Sequence, residues 1–180
     1  MVRDVVFVVS MSAMRIPEQL AEAMNRQVTA ELEAAMVYLQ LSYILDDLGL
    51  AGMRDWMKAQ SDEELTHAAA FSQHLLDRGH MPAIGNIGPI KLDCSTALDC
   101  FKASLEHEKK VSGMIRDLTT LSYDERDWDS RPLLDQFLAE QIEEEASVGE
   151  IVDRLEIAGD NGSAVLFLDS ELAARGSGDE

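Results

Sequence analysis

The chain has 180 residues and a formal net charge of −19, from 34 acidic and 15 basic side chains. Hydrophobic residues make up 46% of it, enough for a packed core. This negative charge argues against nucleic acid and anionic membrane surfaces as partners and suits a protein that attracts cations. We expect one domain at 15–175, between an N-terminal extension at 1–14, disordered or from a misassigned start, and a flexible tail at 176–180.

The two cysteines are expected to be unpaired. Cys94 and Cys100 are predicted to lie on one helix, six residues apart, where they point in different directions. So few cysteines fit a reducing compartment. The apolar run at 5–9 is too short to span a membrane. A cytoplasmic location is therefore expected.

Four long stretches repeat apolar residues at intervals of three and four, the spacing of helices in a bundle. They predict helices at 17–47, 53–78, 93–122 and 129–158, with Gly49 and Gly52 separating the first two. The segment 79–90, rich in glycine and proline, is long enough to cross the length of a bundle. Ser163 is predicted to cap a short fifth helix that ends near 174. That helix is apolar and needs the bundle's end or another subunit to pack on. The predicted fold is all-α.

Polar residues interrupt each apolar seam near its middle. Glu64 and His67 form a Glu-x-x-His pair, so that a carboxylate and an imidazole point to the same side of the second helix. Short loops make neighbouring helices antiparallel, and reflection through the first loop puts Glu31 level with Glu64. The same reflection through the third loop puts Glu108 level with Gln141 and Glu144. Whether the two hairpins are level with each other is not fixed by the sequence.

If the hairpins are level, four buried carboxylates lie together and repel one another strongly in a low-dielectric interior. Two divalent or trivalent cations would reverse that repulsion. Oxygen donors with one imidazole and no thiolate suit iron or manganese rather than structural zinc. Di-iron bundles have one glutamate from each of two helices and Glu-x-x-His from the other two. The fourth helix here departs from that pattern, because it carries Gln141-x-x-Glu144.

Further polar residues border this predicted site. Tyr38, two turns beyond Glu31, can hydrogen-bond a metal-ligating carboxylate, take part in one-electron chemistry or serve only as a core residue. Glu140 and Glu144 are like charges one turn apart, which is unfavourable without a cation. The acidic residues that can build a third, weaker metal position are Glu63, Glu140 and Glu143.

Four motifs, one on each long helix, together resemble those of the bacterial non-haem ferritins. They are Asn25-Arg26-Gln27 through Glu31 to Tyr38, Glu63-Glu64-Leu65-Thr66-His67, Glu106-His107-Glu108 and Glu140-Gln141-Ile142-Glu143-Glu144-Glu145. The resemblance covers roughly residues 14 to 174. It implies a ferritin-like four-helix bundle with a long crossover between helices two and three and a short fifth helix. It also implies a shell of twenty-four subunits that oxidises Fe(II) with dioxygen or hydrogen peroxide and stores Fe(III) mineral, with a reductase as partner for iron release.

The resemblance assigns roles by position. It implies a first iron site at Glu31, Glu64 and His67, with Glu64 bridging to a second site. The residues that complete the second site are Glu108 and Glu144. Tyr38 and Gln141 are implied as catalytic residues beside the irons. The third iron site is implied at Glu63, Glu140, Glu143 and Glu144. The acidic turn at 123–129 is expected to line a pore at a three-fold axis.

Three alternatives are weighed against this interpretation. Haem-containing bacterioferritin has Glu-x-x-His on its fourth helix and a haem-ligating methionine after the second helix's glutamate, where this chain has Leu65, so no haem is expected. Another di-iron oxidoreductase, such as an oxygenase or a rubrerythrin, needs a substrate cavity or a rubredoxin-like cysteine site, which two cysteines do not form. A metal-free structural bundle has no reason to bury four carboxylates.

Overall fold

The computed structural model describes residues 15–175, which form five α-helices and no strand. They are α1 (Glu18–Asp47), α2 (Ala51–Asp77), α3 (Ala97–Asp124), α4 (Arg131–Ala158) and α5 (Gly162–Arg175), with a 3₁₀ turn at Trp128–Ser130 before α4. The predicted four long helices and short fifth helix are confirmed. The extension at 1–14 and the tail at 176–180 lie outside the described residues, and the domain limits stay a prediction. Over 15–175, the helices are too short or too polar to cross a membrane.

The long helices form two hairpins, α1 with α2 and α3 with α4, which pack together mainly through α1 and α3. The crossover at 78–96 runs along α1. The Ala83 N–H donates to Asn25 Oδ1 at 2.7 Å near the start of α1, and residues 90–93 lie beside Ile44 near its end. Consequently α3 starts at the C-terminal end of α1 and runs antiparallel to it.

Two apolar clusters fill the bundle, one toward each end. Leu45, Met53 and Phe101 belong to the cluster near the α1–α2 turn, and Leu20 and Phe71 belong to the other. Burial of these side chains provides most of the favourable free energy of folding. A layer of polar side chains separates the two clusters.

The start of α3 differs from the prediction. The helix begins at Ala97 instead of 93, because Thr96 and Asp99 form a capping box. The Asp99 N–H donates to Thr96 Oγ1 at 3.1 Å, and the Thr96 N–H donates to Asp99 Oδ2 at 3.0 Å. Such a reciprocal pair satisfies backbone donors that have no partner inside the helix. Cys94 therefore precedes α3, and the prediction that both cysteines lie on one helix is wrong.

The start of α2 also differs, since Gly52 lies inside the helix and does not break it. A Cβ built on Gly52 would lie 1.9 Å from the Asp169 carbonyl oxygen, so the missing side chain is what lets α5 approach α2. The Met53 N–H donates to Asp169 Oδ1 at 2.7 Å. A side chain of α5 thus provides the N-terminal cap of α2.

The fifth helix packs on the bundle's end, one of the two surfaces expected for it. Leu168 and Leu172 are buried in the cluster near the α1–α2 turn. Its N-cap is Asn161 and not the predicted Ser163, because Asn161 Oδ1 accepts the Ser163 N–H at 3.1 Å. Phe167 remains 65% exposed.

Candidate metal centre

The polar layer between the two apolar clusters joins glutamates from all four long helices. Glu31, Glu64 and Glu108 are buried, and His67 and Glu144 are partly buried. One donor atom each from Glu31, Glu64 and His67 lies within 4.8 Å of the other two, a grouping able to hold a metal ion. The two hairpins are level with each other, as the predicted site requires.

The Glu31 carboxylate is incompletely satisfied. Gln27 Nε2 donates to Glu31 Oε1 at 2.8 Å, but the buried Oε2 atom has no hydrogen-bond partner among the described residues. Burial, and then the neighbouring Glu64 carboxylate, raise the pKa of Glu31 to about 8. A buried oxygen without a partner is costly, and here it is free to bind a cation.

Glu64 and His67 lie side by side, as their spacing predicts. His67 Nδ1 is 3.3 Å from Glu64 Oε2, and the imidazole packs edge-on against Phe137. Burial, followed by repulsion from Glu108, raises the pKa of Glu64 to about 8. The Glu64 carboxylate repels the carboxylates of both Glu31 and Glu108 electrostatically. It therefore occupies the middle of the layer.

Glu108 is held by two neighbouring side chains. The Tyr38 hydroxyl donates to Glu108 Oε1, and Gln141 Nε2 donates to Glu108 Oε2 at 3.0 Å. Ser104 Oγ in turn donates to the Tyr38 hydroxyl oxygen at 3.1 Å. Burial raises the pKa of Glu108 in spite of these two hydrogen bonds. Tyr38 and Gln141 thus orient one carboxylate through its two different oxygens.

The residues of the predicted third metal position lie at the edge of the layer. Burial, and then repulsion from Glu63, raise the pKa of Glu144 to about 7. Glu140 Oε2 lies 3.8 Å from His67 Nε2. Glu63 and Glu143 are exposed, so this group is open to solvent on one side.

No lysine or arginine in the described part of the chain forms an ion pair with the carboxylates of this layer. Burial, and then the neighbouring carboxylates, raise the pKa values of Glu31 and Glu64, so the charged forms of these groups are unfavourable. A divalent or trivalent cation would compensate that charge. The oxygen donors and single imidazole fit iron or manganese.

A family model described as the ferritin-like domain matches residues 21–158, which include every side chain of this layer. The chain belongs to the ferritin-like family. The resemblance carried by the four motifs is therefore confirmed.

Bacterial non-haem ferritins align with most of this chain. It is 36% identical over 160 residues to the bacterial non-haem ferritin of Bacteroides fragilis strain 638R, across 89% of this chain and 99% of that one. It is 26% identical over 155 residues to the bacterial non-haem ferritin of Escherichia coli O6:H1, across 86% and 94% of the two chains.

Solved ferritin structures share the fold. An open-pore ferritin of the archaeon Archaeoglobus fulgidus superposes with a TM-score of 0.85 at 35% identity, covering 88% of this chain and 96% of that one. A closed form engineered from the A. fulgidus ferritin gives a TM-score of 0.83 at 36% identity, with the same coverage.

One part of the predicted pore turn does not face solvent. Asp127 is buried, and its Oδ1 accepts a hydrogen bond from Arg78 Nη2 at 2.6 Å. Asp124 and Asp129 of the same turn are exposed. Asp127 therefore joins the 3₁₀ turn to the end of α2 and is not available to line a pore.

Sequence reasoning missed the side chains that support this site. Ser104 lies one helical turn before Glu108 and bonds to Tyr38, while Ser112 accepts from Gln141 Nε2 at 3.2 Å. Both serines are at positions of α3 that point into the bundle. A small polar residue at a seam position, one turn from a buried glutamate, is the signal that identifies them.

Proposed function

We propose that this chain is an iron-storage ferritin with ferroxidase activity. Each subunit oxidises Fe(II) at a site for two iron ions, and a cytoplasmic shell of twenty-four subunits keeps the Fe(III) mineral inside. The observation that supports this proposal most strongly is the layer of buried glutamates whose charge no lysine or arginine of the described residues compensates. The relatives that are bacterial non-haem ferritins support it independently.

The geometry suggests how two irons divide the donors. Glu31, Glu64 and His67 hold the first Fe(II), and Glu64 bridges to the second. The residues that complete the second position are Glu108 and Glu144. Anionic oxygen donors stabilise Fe(III) more than Fe(II), so these carboxylates favour the loss of electrons. Two irons together supply the two electrons that hydrogen peroxide needs to become water, or that dioxygen needs to become peroxide.

Tyr38 and Gln141 control the Glu108 carboxylate in this proposal. Each donates a hydrogen bond to a different oxygen of Glu108, which limits rotation of the carboxylate. The Tyr38 hydroxyl proton faces a carboxylate that can accept it, an arrangement that suits the loss of one electron from the tyrosine. These two residues are the candidate catalytic side chains.

We assign a third, weaker iron position to the open side of the layer. Glu140 and Glu144 lie near His67, and Glu63 acts electrostatically on Glu144. Glu143, exposed on α4, is included as the fourth carboxylate. Weak binding here would let Fe(III) leave the subunit's interior for the mineral.

Oxidation of Fe(II) under air, followed by near-ultraviolet absorbance, tests the proposal. We expect rapid oxidation by the wild-type protein and almost none by Glu64→Ala, because that variant loses the bridging carboxylate. Glu106→Ala is the matched control, since the Glu106 side chain is 76% exposed and pairs with Lys109 at the surface. It should oxidise Fe(II) at the wild-type rate.

Equal rates in the wild-type and Glu64→Ala proteins would refute the di-iron site. Storage is tested separately by loading iron, removing free iron on a sizing column and measuring iron in the protein fraction together with its mass. A shell retains many irons per subunit. A protein that oxidises Fe(II) but elutes as a small species without retained iron would be an oxidase and not a storage protein.

A further inference from the structure

Two glutamines lie one helical turn before two of the predicted metal ligands and donate hydrogen bonds to them. Gln27 Nε2 donates to Glu31 Oε1 at 2.8 Å on α1, and Gln136 Nε2 donates to Glu140 Oε1 at 2.9 Å on α4. In each pair the Oε2 atom of the glutamate is buried and has no hydrogen-bond partner among the described residues. Each carboxylate therefore has one oxygen held by an amide and the other left open.

These open oxygens are unusual, because buried polar atoms in folded proteins are nearly always hydrogen-bonded. Residues 15–175 contain three buried side-chain nitrogen or oxygen atoms without a partner. Two of them are Glu31 Oε2 and Glu140 Oε2, and the third is His107 Nε2. An open buried oxygen costs free energy in the metal-free protein. Its occurrence twice, beside the same amide contact, indicates that a ligand supplies the missing partner.

Both glutamates reach the metal layer next to His67. One donor atom of Glu31 lies within 4.8 Å of donor atoms of Glu64 and His67. Glu140 Oε2 lies 3.8 Å from His67 Nε2, which is too far for a hydrogen bond, so the imidazole does not satisfy this oxygen. The open oxygens are thus placed at the first and the third metal positions.

A glutamine amide is suited to holding such a carboxylate because it is neutral. Its Nε2 group donates hydrogen bonds without adding a positive charge. A lysine or arginine in the same place would neutralise the carboxylate and repel an incoming cation. The hydrogen bond to Oε1 also limits rotation of the carboxylate, so less ordering is required when a cation binds Oε2.

Glutamines elsewhere on α2 show the ordinary case. Gln73 Nε2 donates to Asp77 Oδ1 at 2.7 Å with the same spacing, but both residues are exposed. Gln60 Nε2 donates to Glu63 Oε2 at 2.8 Å, and Glu63 is exposed as well. Water can bind the remaining oxygen in each of these pairs. The feature specific to the pairs in the metal layer is the buried open oxygen, and not the contact between amide and carboxylate.

We propose that Gln27 and Gln136 are positioning residues for the iron positions of the proposed function, on which this assignment rests. Gln27 acts at the first position and Gln136 at the third. Each holds one oxygen of its glutamate, so that the other oxygen binds Fe(II) as a monodentate ligand. Neither glutamine contacts the metal itself.

Titration of the metal-free, full-length protein with Zn(II), followed by calorimetry, tests this proposal, because Zn(II) binds oxygen and imidazole donors and has no redox chemistry. Methionine replaces glutamine at similar volume but has no amide donor. We expect Gln27→Met to weaken Zn(II) binding at the first position roughly tenfold and to leave the third position unchanged. Gln136→Met should do the reverse. Gln73→Met is the matched control and should bind Zn(II) as the wild type does.

Glu31→Ala and Glu140→Ala identify the two positions in the titration, since each removes one ligand. If these two variants bind Zn(II) more weakly but both glutamine variants bind it as tightly as the wild type, the positioning assignment is wrong and the metal positions stand. If Glu31→Ala and Glu140→Ala bind Zn(II) like the wild type, the metal positions and the positioning assignment both fail.

Urea unfolding separates positioning from a purely structural role. A Gln27→Met protein that is less stable but keeps its Zn(II) affinity would overturn the assignment of Gln27. Gln136 is exposed, so Gln136→Met should keep the wild-type stability. Its Zn(II) affinity decides the proposal even where Gln27→Met does not fold.

Discussion

The Tyr38 hydroxyl on α1 donates a hydrogen bond to the Glu108 carboxylate on α3, across the interior of the bundle. This hydrogen bond joins the two hairpins at the level of the metal centre. Among the described residues, the one other buried side-chain hydrogen bond between α1 and α3 is that of Ser104 with Tyr38. The consequence is that the position of Glu108 depends on a residue of the opposite hairpin.

Replacing Tyr38 with phenylalanine should disturb Glu108 without disturbing the fold. The pKa of Glu108 should rise, because the lost hydrogen bond stabilises its charged form. We expect Fe(II) oxidation to slow several-fold and the free energy of unfolding to fall by about 1 kcal/mol. Stopped-flow absorbance and urea titration measure the two effects.

Ser104→Ala is the control, because it removes the hydrogen bond to the Tyr38 oxygen and leaves the bond to Glu108. It should oxidise Fe(II) at close to the wild-type rate. If Tyr38→Phe also keeps the wild-type rate, the orientation of Glu108 by Tyr38 has no part in the reaction.

The metal-free protein should lose stability as the pH rises. The pKa values of Glu31 and Glu64 are raised from 4.5 to about 8, so between these limits the folded state keeps protons that the unfolded chain has lost. Raising the pH therefore favours unfolding. We expect the melting temperature in a chelator to fall steadily from about pH 5 to about pH 8.

Removing one of these carboxylates shows how much that carboxylate contributes to the fall of the melting temperature with pH. At pH 8, Glu31→Gln should have a higher melting temperature than the wild type. Its melting temperature should also fall less steeply as the pH rises. Glu106→Gln removes the same charge at the surface and should keep the wild-type slope. If the Glu31→Gln slope equals that of the wild type, burial of Glu31 does not govern the pH dependence.

A side chain at Gly52 should push α5 away from α2. The Cβ of Gly52→Ala would overlap the Asp169 carbonyl oxygen, which belongs to the backbone and cannot rotate away. We expect a loss of about 3 kcal/mol in the free energy of unfolding, measured in urea. Gly113→Ala serves as the comparison.

Gly113 lies within α3 with nothing near its Cβ direction. The alanine there should raise the free energy of unfolding by about 0.5 to 1 kcal/mol, as expected for a glycine in a helix interior. Equal effects of the two substitutions would mean that α5 does not depend on close approach at Gly52.

The buried ion pair between Arg78 and Asp127 should contribute to stability at the far end of the bundle. Asp127→Asn removes the carboxylate charge 2.6 Å from the buried Arg78 guanidinium, and we expect a loss of about 3 kcal/mol by thermal unfolding. Asp129 is exposed and 3.9 Å from Arg78. Asp129→Asn should change stability by less than about 0.5 kcal/mol. A larger loss in Asp129→Asn than in Asp127→Asn would contradict this assignment.

The helices and the metal layer were predictable because both follow from a repeating pattern. Apolar residues at intervals of three and four place Glu31, Glu64 and Glu108 on inward faces, and helix geometry then fixes their heights. The height of one hairpin relative to the other along the bundle depends on the path of the crossover and on the Tyr38–Glu108 contact. Those contacts are distant in the sequence, so periodicity carries no information about them.

The errors concern helix ends, where one local hydrogen bond decides the result. Thr96 ends the crossover through its bond with Asp99, so Cys94 precedes α3 instead of lying on it. The sequence predicts that Gly52 separates two helices, whereas in the structure it lies inside α2 and makes room for α5. In both cases the residue type was informative, but its partner could not be found from the sequence.

The cap that Asp169 provides for α2 has a consequence for synthesis. The Met53 N–H and the Asp169 carboxylate are 116 positions apart. Because the ribosome makes the chain from its N-terminus, α2 emerges long before its cap exists. The α1–α2 hairpin must persist through most of translation with an incomplete helix start and an uncovered apolar end. A chain cut short before α5 keeps both defects, which makes it a natural target for chaperones and proteases.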